Sequence, residues 1–208
     1  MRVISTNISK KRTINIDGTL VETGIYKQAV EKGVVLGSTD VQEDNVVDRK
    51  YHGGLDMACY IFGYNNYPYF QTKYPNADWE IGMFGENITL DFLNESTMNI
   101  GDLYEIGEAI IQISQPRMPC SKLGYRLGDK GAIKYFTDSN FPGVYVRVLK
   151  PGLVSSGDEM NLWETKTEKL SILELYRILG AKSKNTHQFY TVISNPWVPE
   201  KCKLNLKE

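Results

Sequence analysis

Cys120 stands in SQPRMPCSKLG, Ser114 to Gly124, behind two prolines and between Arg117 and Lys122. Pro116 and Pro119 fix the chain as it leaves an apolar run. Pro119 is a good first residue for a short helical turn holding Cys120, Lys122 and Leu123. A thiol in such a turn, close to two cations, has a lowered pKa. The resulting thiolate is a nucleophile or a soft-metal ligand. The competing reading is a small buried hydrophobe, as cysteines outside disulfides often are. Met118 is a poor N-cap and Gly124 weakens a long helix, so local chemistry leaves both readings open.

A second cluster is DRKYHGGLDMA, Asp48 to Ala58. Asp48, Arg49, Lys50, His52 and Asp56 crowd titratable groups around Gly53 and Gly54, whose positive-φ freedom allows close backbone approach to a ligand. The segment reads either as a solvated turn or as a loop whose Arg49 or Lys50 meets an anion. In MFGENITL, Met83 to Leu90, a glycine precedes Glu86 and Asn87 at a strand entrance. Asn87 carries donors and an acceptor suited to a polar ring edge. By contrast, Cys59 lies in the apolar run ACYIFG and reads as core, Cys202 belongs to the tail, and His187 lacks acidic or cysteine neighbours.

These segments need a scaffold, and its class is legible. RVISTNI, ACYIFG, ENITL, DLYEIG, AIIQISQ and VYVRVL are β-branched and aromatic, separated by glycine-rich turns. Ile111 and Ile113 alternate with Gln112 and Ser114, the pattern of a half-buried strand, and EIGEA predicts a hairpin turn at Gly107. Many short strands predict a mainly β, barrel-like domain over residues 1–165. Within it YNNYPYFQTKY predicts a helix broken near Pro68, and GAIKYFTDS a weaker one. After residue 165 the texture becomes helical. Ser171 and Glu174 fit a capping box, Leu170 and Leu175 a hydrophobic staple, and Gly180 a C′ stop. With NTHQFYTVIS and VPEKCKLNL, this predicts a three-helix C-terminal unit over residues 166–208.

Composition narrows the function. The 208 residues carry 24 Lys plus Arg against 25 Asp plus Glu, which leaves no basic footprint for nucleic acid. No apolar run nears the roughly 18 residues that span a bilayer, and the N-terminus lacks a signal-type apolar stretch, so a cytoplasmic protein is expected. Three widely spaced cysteines and two histidines form neither a disulfide framework nor a zinc motif.

Taken together, DRKYHGGLDMACY, FGENIT, IGDLYEIGEAIIQISQPRMPCSKL and GVYVRVLKPGLVSSGD resemble the MOSC domain, named for the C-terminal domain of molybdenum cofactor sulfurases. The similarity is strongest to its YiiM-like bacterial branch, in which a three-helix unit follows a barrel-like β domain. The resemblance implies a molybdenum cofactor, a pterin whose dithiolene sulfurs bind molybdenum, with Cys120 completing the ligand set. It implies Arg49, Lys50, Arg117 and Lys122 for the pterin phosphate and for orientation. His52, Gly53 and Gly54 would let a loop approach the cofactor, and Asn87 would meet the pterin ring or the substrate. The implied activity is reduction of N-hydroxylated compounds such as hydroxylaminopurine to amines, molybdenum taking the oxygen and releasing it as water. The implied alternative is a non-catalytic carrier of the cofactor. No iron–sulfur cysteine run is present, so a separate reductase is the expected electron donor, with no nucleic-acid or membrane partner.

Overall fold

The computed structural model describes residues 1–47, 53–181, 185–204 and 206. Its centre is an eight-stranded sheet in the order β12-β8-β9-β10-β6-β7-β1-β4. The strands are β1 (Val3–Ile8), β4 (Gln28–Ala29), β6 (Cys59–Gly63), β7 (Ile88–Leu90), β8 (Leu103–Ile106), β9 (Ala109–Pro116), β10 (Val144–Lys150) and β12 (Met160–Glu164). Neighbours run antiparallel except β6 and β7, which are parallel and joined through α1 (Tyr67–Lys73). Two ribbons flank the sheet: β2 (Arg12–Ile16) with β3 (Thr19–Thr23), and β5 (Val34–Leu36) with β11 (Gly152–Val154).

A barrel-like closure was expected, and the sheet is open instead. Among the described residues no ladder joins β12 to β4; Met1–Val3 meets the β12 end through the bridge Arg2↔Glu159 and hydrogen bonds such as Val3 N to Asp158 O and Met160 N to Met1 O, both 2.8 Å, without a strand ladder. Short strands and bulges in β1, β10 and β12 bend the sheet strongly without completing a ring. The helices expected at YNNYPYFQTKY and GAIKYFTDS form as α1 and α3 (Ala132–Asp138), and the short turn expected after Pro119 extends to a seven-residue α2 (Ser121–Leu127). Pro68 begins α1 rather than breaking it, because the first turn has no use for the missing N–H.

The hairpin at Gly107 forms as predicted, with Ile106 opposite Ala109 and Gly107 at φ +53°. The half-buried reading of β9 fails. Gln112, Ser114 and Gln115 are buried along with Ile111 and Ile113, because the helical tail covers the second face. Gln112 then donates to Gly101 O at 3.2 Å and accepts from Arg147 Nη1 at 2.8 Å, so its amide is satisfied.

The tail comprises α4 (Ile172–Gly180), α5 (Thr186–Ser194) and α6 (Glu200–Leu204). Its capping box is present: Ser171 Oγ accepts from Glu174 N at 3.2 Å, and the Glu174 carboxylate accepts from Ser171 N at 2.9 Å. Gly180 closes α4 from within, and the chain leaves through extended Ala181, so the C′ stop predicted at Gly180 does not form. Leu170, Ile172, Leu175, Ile178, Val192 and Val198 join the same apolar cluster as Ile61, Ile88, Ile111 and Val146 of the sheet. A second cluster, rich in aromatic rings, unites Phe62, Phe70, Phe84 and Phe136.

Two outcomes follow. Leu175→Ala, a buried truncation in the shared core, is expected to cost about 3 kcal/mol and to shift one cooperative transition seen alike by near- and far-ultraviolet circular dichroism. Glu95 is buried and accepts from Gly143 N at 3.1 Å and Asn66 Nδ2 at 3.3 Å, yet desolvation raises its pKa to about 7. A carboxyl that binds its proton more tightly when folded contributes stability at low pH and loses it as pH climbs through the folded value. Denaturant titrations should therefore show a stability decline between about pH 4.5 and 7 that Glu95→Gln flattens.

Candidate functional site

One cleft gathers most of the residues singled out above. Gly53, Asn87, Arg117, Cys120 and Lys122 line it, together with Lys27, Asp44, Tyr60, Phe84 and Tyr145. Arg49, Lys50 and His52 lie outside the described residues. Gly53 and Gly54 adopt φ of +79° and +84°, as two adjacent glycines allow. Gly53 faces the cleft, whereas Gly54 is absent from its lining and donates to Thr39 O at 2.9 Å.

The cysteine arrives from β9. Pro116 pairs with Val144 at the end of the ladder, and the chain then turns through Arg117 to Cys120. The predicted turn begins later than expected: Pro119 stays outside, and Cys120 is the N-cap of α2 with extended φ −120° and ψ 167°. Its carbonyl accepts from Leu123 N at 3.0 Å, while its side chain caps nothing. Cys120 is half-buried; Cys59 and Cys202 are buried. Desolvation pushes the Cys59 thiol well above its usual range and Cys202 up to about 12. Cys202 Sγ also donates to Gln115 Oε1 at 2.8 Å, which makes it a structural contact of the tail.

Arg117 is 4 % exposed, with its guanidinium over the Tyr60 ring at 5.1 Å and the Phe136 ring at 5.4 Å. Burial opposes its charge, but Tyr60, Tyr145 and Cys120 around it hold it firmly cationic. Among the described residues its buried Nη1 has no acceptor. A buried N–H of this kind is costly unless a ligand or water accepts from it.

Across the cleft, Asn87 is fully engaged. Its Oδ1 accepts from Tyr60 N at 3.3 Å, and its Nδ2 donates to Asp44 Oδ2 at 2.9 Å and Asn7 O at 3.3 Å. These contacts make Asn87 a positioning residue and leave its amide little to offer a bound ring. Its loop is held by Glu86, whose buried carboxylate accepts from the Tyr67 hydroxyl, and from Gly82 N, Phe84 N and Thr89 Oγ1 at 3.1 Å. Desolvation raises the Glu86 pKa against those bonds.

Sequence reasoning missed Lys27 and Asp44. They form a buried ion pair in the cleft wall, their side chains 6 % and 1 % exposed. No motif signals either: Lys27 interrupts an ordinary run, and Asp44 stands in a polar turn typical of solvent. Gly24 was similarly anonymous, yet a Cβ there would lie 1.9 Å from Asn45 O, so the cleft wall at this point admits only glycine.

Among the described residues no three His, Cys, Asp or Glu side chains gather as a metal cage, and no helix is long and apolar enough to cross a membrane. The MOSC domain family matches residues 48–161. YflK of Bacillus subtilis is 32% identical over 95% of this chain and 89% of its own length. A protein of Gibberella moniliformis named Reductase is 30% identical over 80% of this chain, which spans 30% of that longer protein. The crystal structure of YiiM from Geobacillus stearothermophilus superposes with a TM-score of 0.81 at 30% identity, covering 99% of this chain and 98% of that one. With Cys120, Arg117 and Asn87 of the cleft inside the matched region, this chain belongs to the MOSC domain family, alongside YiiM.

Proposed function

We propose that this protein is a molybdenum-cofactor-dependent reductase that converts N-hydroxylated compounds, such as hydroxylaminopurine, to amines. The observation that carries the reading is the pairing, in one cleft, of half-buried Cys120 with the Nη1 of buried Arg117, which finds no acceptor among the described residues. A soft thiolate donor beside an unsatisfied guanidinium fits a cofactor that presents a soft metal and anionic oxygens. Family membership and a relative named Reductase support the same class of chemistry.

In this reading Cys120 would hold the molybdenum, and Arg117 and Lys122 would donate to the cofactor's anionic edge. Arg49, Lys50 and His52 belong to the same proposed set, and Gly53 lets their loop come close. The bound cofactor would supply two-electron chemistry. The chain's own contribution is positional. Arg117 favours the anionic form of Cys120, since the two charges interact directly. Tyr60 and Phe136 keep water from the guanidinium, and the Glu86-held loop fixes the opposite wall. Electrons come from a separate reductase protein.

Two measurements test this. Protein loaded with cofactor and given a chemical reductant should reduce hydroxylaminopurine. Cys120→Ala should lose both turnover and bound molybdenum, and turnover equal to that variant's would overturn the proposal. Cofactor transfer to an apo-enzyme without turnover would support a carrier instead. In the cofactor-free protein at neutral pH, iodoacetamide should alkylate Cys120 well before Cys59 or Cys202, as read by peptide mass spectrometry. Equal protection of all three would remove the thiolate from the mechanism.

A further inference from the structure

Lys27 is the second buried cation of the cleft, and the proposed function does not use it. The chain reaches it through Gly24 and Ile25, just before β4, and it is 5 % exposed. Its ammonium donates to Asp44 Oδ2. That carboxylate is saturated, for Asp44 Oδ1 accepts from Ser9 N at 2.8 Å and Ser9 Oγ at 3.1 Å, and Asn87 Nδ2 reaches Oδ2 at 2.9 Å. Asp44 is therefore held as an anion despite burial. Lys27 carries three N–H donors, and Asp44 is its sole acceptor among the described residues. Both residues line the cleft that Cys120 lines, so the remaining donors have the cleft to serve.

We propose that Lys27, aimed by Asp44, is a catalytic residue that hydrogen-bonds the hydroxyl oxygen of the N-hydroxylated substrate and donates the proton with which that oxygen leaves. The proposal rests on the reductase reading and deepens it. In the step, the N–O bond breaks and its oxygen departs as water carrying the Lys27 proton. The nitrogen takes two electrons, originating in the separate reductase, and a second proton from solvent. Lys27 is then reprotonated from water, which balances the conversion of one hydroxylamine, two electrons and two protons into one amine and one water.

The surroundings suit a donor. Desolvation lowers the Lys27 pKa, while the Asp44 charge and, more weakly, Cys59 and Glu86 oppose that shift. An ammonium that releases its proton more readily than a surface lysine is better matched to work near neutrality. Arg117 cannot substitute, because its guanidinium keeps its protons. Tyr60 and Tyr145, two further protic side chains of the cleft, are both raised by burial.

The test uses full-length protein loaded with cofactor. Lys27→Met should retain molybdenum and pterin at the native ratio and lose turnover by roughly 100-fold or more. The native enzyme should lose activity as pH rises through the Lys27 pKa, and Lys27→Met should lack that alkaline limb. Lys27→Arg should recover affinity without recovering rate. Since one member of a buried pair left alone can unfold the protein, Lys27→Met/Asp44→Asn is the companion variant, with the same expected loss of rate. A readout independent of turnover is binding by equilibrium dialysis. The native protein and Lys27→Arg should prefer hydroxylaminopurine over adenine, and the two Lys27→Met variants should not. Parallel loss of pterin and activity would assign Lys27 to the cofactor and overturn the proposal. So would turnover within about threefold of native with an unchanged pH profile. If the native protein shows the binding preference yet never turns over, the reductase reading falls while the Lys27 contact stands. If it shows no preference, the contact falls whatever the turnover.

Discussion

Strand β9 is buried on both faces, and the cleft depends on that confinement. One face meets the sheet's apolar core through Ile111 and Ile113, and the other is closed by the tail, where Cys202 Sγ meets Gln115 Oε1. A strand held from both sides, with β8 and β10 at its edges, delivers its last residues to a fixed place. Pro116 then ends the ladder, and Arg117 and Cys120 follow within one short turn. The helical tail thus influences the cleft without lining it. It is the clamp behind the strand that carries the thiol.

The two buried cations of the cleft, Arg117 and Lys27, are buried by different devices, and the difference separates their chemistry. Arg117 lies against the Tyr60 and Phe136 rings, in a setting that keeps it charged but leaves Nη1 without a partner among the described residues. Lys27 faces a carboxylate already bound by Ser9 and Asn87. A planar guanidinium that never deprotonates suits a permanent anion, whereas an ammonium on a desolvated stem suits a proton that must move. The cleft therefore presents a fixed positive wall near the cysteine and a labile one around Lys27.

Much of this was legible where local chemistry decides. The Gly107 hairpin, the Ser171–Glu174 capping box and the positive φ of Gly53 and Gly54 all follow from residues within four positions of one another. The motif segments likewise announced Cys120, Arg117 and Asn87 as neighbours of one site. What escaped was non-local. Gln112 and Ser114 alternate as if solvated, and only the arrival of a tail some 60 residues later buries them. Lys27 and Asp44 lie 17 positions apart on separate loops, so neither has meaning until the sheet brings them together. Asn87 shows the converse: its place was readable, but its amide is spent on Asp44, Asn7 and Tyr60, which no local pattern reveals.

The Lys27–Asp44 pair also bears on why the cleft retains charge at all. Attraction between unit charges about 4 Å apart is near 4 kcal/mol at the effective dielectric of a protein, while desolvating each ion costs several kcal/mol. Such a pair comes out close to neutral against well-packed apolar residues of the same volume, so stability alone gives no reason to keep it. The alternative stabilisers are already in place: Ile25 and Phe84 supply apolar surface to the same wall. Asp44 is held by four donors, far more than an ion pair needs for its own sake, and the effect is to fix one ammonium in one orientation. An arrangement that spends four hydrogen bonds aiming a buried cation into an open cleft is accounted for by what that cation meets there.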